Sequence, residues 1–140
     1  MTPTIKDMEK CFIDCNAEFF HNRIKKPTFK LDKSKWEVAH TVYYPDKKRR
    51  KLECVSITFS EMFDMTEDMF KDVMFHELIH IYLAQQFIKD DGSHGTQWQK
   101  MADEINKMYG RHVTKTFEAS PKFKDGKASK MIMFFKSLFG

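Results

Sequence analysis

Residues 76–80 read His76-Glu77-Leu78-Ile79-His80, two imidazoles four positions apart with a carboxylate next to the first. On a helix, residues at i and i+4 share a face about 6 Å apart along the axis, so both rings can reach one metal ion. Imidazole nitrogens hold zinc at about 2.0–2.1 Å, and a neighbouring carboxylate can take a proton from the metal's water without ligating the metal. Together these groups suit hydrolysis of an amide at neutral pH. The alternative is two core histidines and a glutamate satisfied by ordinary hydrogen bonds. Burying that trio in an otherwise apolar helix without a metal is costly unless every polar atom finds a partner. His76 and His80 are therefore read as Zn2+ ligands and Glu77 as the catalytic carboxylate.

A catalytic zinc takes three protein ligands and keeps one open position. The extended pattern with Gly three and His six residues beyond the second histidine fails, because Leu83 and Gln86 stand there. Two sources remain: His94, whose flanking Gly92 and Gly95 let the loop fold back on the helix, and Glu104 or Asp103 further on.

The elements that must position these groups follow from periodicity. Ile5, Met8, Phe12, Cys15 and Phe19 recur at helical steps, predicting a helix from Thr4 to about His21. Three strands are predicted at 28–31, 36–44 and 52–59. Trp36, Val38, His40, Val42 and Tyr44 alternate on one face of the second, and Val55, Ile57 and Phe59 on one face of the third. Aromatic residues at strand positions are expected in the core, Trp36 and Tyr44 included. Pro45 and Asp46 open an exposed tip, Lys47-Lys48-Arg49-Arg50-Lys51, between the last two strands. A long helix starts at the N-cap Thr66, with Glu67 and Asp68 in its first turn, and runs to about Lys89. It is apolar nearly all round and so should be central. Another helix spans 96–109, with Trp98, Met101, Ile105 and Met108 on one side and Gly110 as its stop.

The 140 residues, 41% hydrophobic with 14 Phe and 10 Met, suit one globular domain and argue against disorder. The net charge is +4, and residues 111–140 hold seven Lys/Arg against two acidic residues, so the excess lies in the tail. Ser120-Pro121 and Asp125-Gly126 are turn signals there, and 131–139 is an apolar run able to dock. No run reaches the roughly 18 apolar residues of a membrane span and no signal-peptide core opens the sequence, so an intracellular, cytoplasmic protein is expected, with nucleoid or nucleus as alternatives. Cys11, Cys15 and Cys54 form no Cys-x-x-Cys pair and read as reduced core thiols.

The stretch from His76 to Leu83, then Asp91 to Gly95, then Trp98, Met101, Ile105 and Asn106, resembles the metal-binding core of the SprT-like family, which includes Spartan-type proteases acting on proteins crosslinked to DNA. Weaker likeness extends upstream through residues 16–20, Trp36 and the strand ending at Ser60. The resemblance implies His76, His80 and His94 as zinc ligands with Glu77 catalytic. Two departures stand out: the tail has no cysteines for a second, zinc-ribbon site, and Thr96 replaces a common Pro after His94-Gly95 and could cap the next helix.

The expected fold is α+β, a small antiparallel sheet packed against a central zinc-binding helix with flanking helices. Residues 1–110 form the metalloprotease domain and 111–140 a basic extension packed on or near it. The expected function is zinc-dependent peptide-bond hydrolysis, with proteins on DNA as substrates. Lys47, Lys48, Arg49, Arg50, Lys51 and the tail would contact phosphates. The competing readings are a zinc-stabilised DNA-associated binding domain with little peptidase activity, and zinc hydrolysis of a non-peptide amide or ester. Tyr82, Tyr109 and His112 are candidates for stabilising the transition state.

Overall fold

The structure, a computed structural model, describes residues 1–121 and 131–134. Helix α1 spans Ile5–Phe19 and opens with a capping box: the Asp7 amide donates to Thr4 Oγ1 and the Thr4 amide to Asp7 Oδ2. Its apolar stripe buries Met8, Cys11, Phe12 and Cys15. The helix stops where His21 and Asn22 turn left-handed, at φ 53° and 59°. The Asn16 side chain then acts as a substitute peptide, donating to the Ile24 carbonyl at 2.9 Å and accepting from the Ile24 amide at 3.1 Å.

Strands β1 (Thr28–Asp32), β2 (Ala39–Asp46) and β3 (Lys51–Ser60) form a sheet ordered β1-β3-β2. The β2–β3 hairpin is antiparallel with the basic tip exposed, as the sequence predicts. The sheet as a whole is mixed rather than antiparallel, because β1 runs parallel to β3. Residues 33–38 carry the chain past the end of β3, pinned by Ser60, whose amide bonds Val38 and whose hydroxyl bonds the Ser34 carbonyl. That crossover sends β2 down the far side of β3.

The inward face of β2 differs from expectation. Ala39, Thr41 and Tyr43 are buried, while Trp36 lies before the strand, 73% exposed, and Tyr44 is 50% exposed. Ile57 and Phe59 do point into the core. Cys11 and Cys15 are buried thiols, but Cys54 is exposed, in a left-handed conformation (φ 52°) where the hairpin register shifts.

A second sheet, β4-β5-β6, joins Phe63–Asp64, Thr116–Pro121 and Met131–Phe134. Ser120 and Pro121 thus end a strand, paired with Asp64 and Phe63, instead of forming a turn. The expected Asp125-Gly126 turn, the rest of the apolar run and the tail lysines from Lys122 onward lie outside the described residues.

Helix α2 (Glu67–Gln85) is central: it packs on β2, β3, α1 and α3 (Thr96–Tyr109). Thr66 caps it as predicted, accepting from the Met69 amide. It ends four residues earlier than its apolar pattern suggests. The amides of Phe87 and Ile88 fold back onto the carbonyls of Ala84 and Leu83, with Phe87 left-handed at φ 53°. This helix ending normally uses glycine, and an L side chain there costs about 1–2 kcal/mol. Helix α3 buries Trp98, Ala102 and Ile105, leaves Met108 exposed, and stops at left-handed Gly110.

Replacing Asn16 with Ala removes both partners of the Ile24 peptide group in a buried turn. The expected loss is about 1–3 kcal/mol of unfolding free energy, read as a lower urea midpoint at unchanged slope. An unchanged midpoint would show that the clamp contributes nothing.

Candidate metal centre

Three imidazoles converge where α2 meets the loop before α3. His94 Nε2 lies 3.0 Å from His76 Nε2 and 3.2 Å from His80 Nε2. His76 and His80 share one face of α2 and are buried, and His94 is half-buried. Trp98 lies beneath all three, its ring centre 4.8, 5.9 and 4.9 Å from those of His76, His80 and His94. Among the described residues this is the group of His, Cys, Asp and Glu side chains whose donor atoms gather closely enough to hold a metal ion.

The nitrogens face inward because their other sides are held. His76 Nδ1 donates to the Thr114 carbonyl at 2.8 Å, which fixes the tautomer and leaves the Nε2 lone pair pointing at the other rings. His94 Nδ1 meets Ser93 Oγ at 3.2 Å. Burial drives His80 down to about 3, helped by the nearby His94, and burial also lowers His94. Both rings are therefore neutral near pH 7, the state a metal requires. One shared proton can bridge only one of the close pairs and leaves lone pairs opposed at the other. Two nitrogens at 2.0–2.1 Å in tetrahedral coordination sit about 3.3 Å apart, close to the separations here. The donor set fits a divalent cation.

The loop that delivers His94 is fixed by two carboxylates. Asp90 Oδ1 and Oδ2 accept from the amides of Gln97 and Trp98, and Asp91 accepts from the Thr96 amide and hydroxyl. Thr96 therefore does not cap α3; the acids upstream do, and they favour the positive end of the helix. The Thr96 amide bond holds the Asp91 carboxyl well below its ordinary range. Gly95 is required for space, because an added Cβ would collide with the Asp91 and Asp90 carboxylates. On the other side, Asn106 donates to the Val113 carbonyl at 3.0 Å and accepts from its amide at 2.7 Å, which sets Thr114 in place for His76.

Glu77 is fully buried beside this group. Thr41 on β2 donates to its Oε1 at 2.8 Å, while Oε2 has no hydrogen-bond partner and lies 3.7 Å from His76 Nε2. Burial pushes its carboxyl up to about 8; the Thr41 bond opposes the shift and the charge of Glu37 adds to it.

The structure thus brings together the four residues singled out in the sequence. It does not bring in Glu104 and Asp103, which are exposed on α3, Asp103 accepting from Gln99. Tyr82 packs on Phe20 and Tyr109 donates to the Glu18 carbonyl, so both face α1, away from the imidazoles. His112 is exposed, its amide near Asp72. Sequence reasoning missed Thr41, Thr114 and the two acidic caps. Asp90-Asp91 just ahead of a helix was a readable capping signal, but a backbone carbonyl carries none.

A sequence model described as the SprT-like family matches residues 8–121, from α1 through β5. No curated protein matches the chain.

His94→Ala should weaken metal binding by more than the roughly 10–100-fold lost when a ligand's supporting partner is removed, and Glu104→Ala should leave it unchanged, read by elemental analysis and chelator competition. Full retention in His94→Ala with loss in Glu104→Ala would move the third ligand to α3.

Proposed function

The chain belongs to the SprT-like family, and from that membership and the three converging imidazoles we propose that it is a zinc-dependent metalloprotease. The observation that carries the proposal is the pairing of a cation-shaped nitrogen cluster with an unpartnered, buried carboxylate oxygen 3.7 Å from it. Held by His76, His80 and His94, zinc would supply a Lewis acid that polarises a carbonyl and makes water acidic near neutral pH.

The rest is work for this chain's own side chains. Thr41 ties down Glu77 Oε1, so Oε2 is the oxygen free to take a proton from the attacking water and return it to the leaving amine. Burial makes that carboxyl a stronger base than a solvated one, and a cation beside it favours the ionised form the first transfer needs. The Thr114 carbonyl and Asn106 keep His76 in one tautomer throughout. Residues 1–110 carry the side chains that would act, and the basic stretch 111–140 supplies, through Val113 and Thr114, the backbone that holds His76.

We place protein substrates on or near DNA. Lys47, Lys48, Arg49, Arg50 and Lys51 are exposed, and Lys47 shares a cleft with His80, so phosphates bound at the tip would lie close to the site. Among the described residues no helix is long and apolar enough to cross a membrane. The competing readings, a binding domain without peptidase activity or a hydrolase of non-peptide amides, keep the metal and differ in what is cut.

Glu77→Gln should leave metal content unchanged and lower cleavage of an unfolded protein substrate at least a hundredfold, the scale of a lost general base. DNA should stimulate the unsubstituted chain, and that stimulation should fall steeply with added salt. A zinc-loaded chain that cuts no peptide bond, with or without DNA, would favour the competing readings.

A further inference from the structure

Beside the imidazoles, on the side of β2 and the end of α2, lies a cleft of about 400 Å3. It is lined by the apolar side chains of Tyr43, Leu83, Ala84, Phe87 and Ile88 together with the buried His80. Such a volume is in the range of small-ligand sites and holds far more than the roughly 30 Å3 of one water. The cleft adjoins the imidazole group, since His80 belongs to both.

Phe87 gives a second, independent observation. It occupies the left-handed position that ends α2, where glycine is the favoured residue, and its ring lies under the Arg50 guanidinium, 5.2 Å from the ring centre. A bulky side chain in an unfavourable backbone conformation raises the question of what that side chain does. Here it builds a wall of the cleft. Lys47 and Lys89 are exposed at the rim, while Asp90 is committed to the amides of α3. The uncommitted charge at the mouth is therefore positive.

We propose that this cleft is the specificity pocket of the site, receiving one large apolar side chain, Phe, Leu or Met, of a substrate polypeptide, with Phe87 as the residue that shapes it. The inference rests on the protease reading for its substrate class. Burying one such side chain instead of Ala is worth at least about tenfold in affinity. A Lys side chain would meet an apolar wall and two like charges.

The probe is a set of fluorescein-labelled Gly/Ser decapeptides with a single central Phe, Leu, Ala or Lys, binding to the full, zinc-loaded chain carrying Glu77→Gln. Binding is read by anisotropy, so no turnover is required. The expected result is Phe and Leu at least about tenfold tighter than Ala, with Lys weakest. Adding Phe87→Gly should reduce the preference below about threefold while zinc content holds and the melting temperature stays level or rises, because glycine fits the left-handed backbone. Ala84→Trp, which fills the cleft, should do the same. Equal affinity for all peptides, no binding of any, or a preference that survives both substitutions would overturn the pocket. Cleavage of the same peptides by the unsubstituted chain separates the two ideas: selective binding without cutting sinks the protease reading and keeps the pocket, and cutting without selectivity does the reverse.

Discussion

An imidazole nitrogen held about 3 Å from two others inside a protein is repelled by their lone pairs unless something positive sits between them. Much of the architecture around the site makes sense as the apparatus that enforces this arrangement. Two rings come from a helix that cannot rotate, since α2 is buried by the sheet on one side and by α1 and α3 on others. The third comes from a loop tied by Asp90 and Asp91 to the helix that follows it. Trp98 under all three rings excludes water from below and supplies a rigid apolar floor.

The same motif of support recurs at different depths. An asparagine side chain stands in for a peptide group twice, Asn16 for Ile24 and Asn106 for Val113, and each time it fixes an irregular segment that no regular hydrogen-bond ladder could hold. The second of these sets the carbonyl that orients His76. The sheet contributes through Thr41, a polar residue on the buried face of β2 whose hydroxyl satisfies one oxygen of Glu77 and leaves the other unpaired. A fully satisfied carboxylate would be more stable and less reactive.

Much of this was legible in the residues. Helical periodicity located all three helices, and the spacing of His76, Glu77 and His80 on an apolar helix pointed to a group able to hold a metal ion, because side-chain direction on a helix is fixed by backbone geometry alone. What escaped lies in tertiary relations. Trp36 and Tyr44 suggested the wrong inner face for β2, because alternation of apolar residues cannot report that the core wants a threonine opposite a buried glutamate. The parallel placement of β1 depends on a crossover pinned by Ser60, and the early end of α2 depends on Phe87 accepting a glycine's conformation; neither has a periodic signature. His94 stood beside Glu104 and Asp103 as a candidate ligand, and only the folded loop shows which of them lies against the other two rings.

X-ray absorption at the zinc edge of the loaded protein reads the centre without reference to turnover or fold. Three imidazole nitrogens at about 2.0–2.1 Å with one further oxygen donor, and a histidine count that falls to two in the His94→Ala chain, is the predicted spectrum. Sulfur scattering, a carboxylate-dominated shell, or a protein that takes up no zinc when its chelators are removed would contradict it.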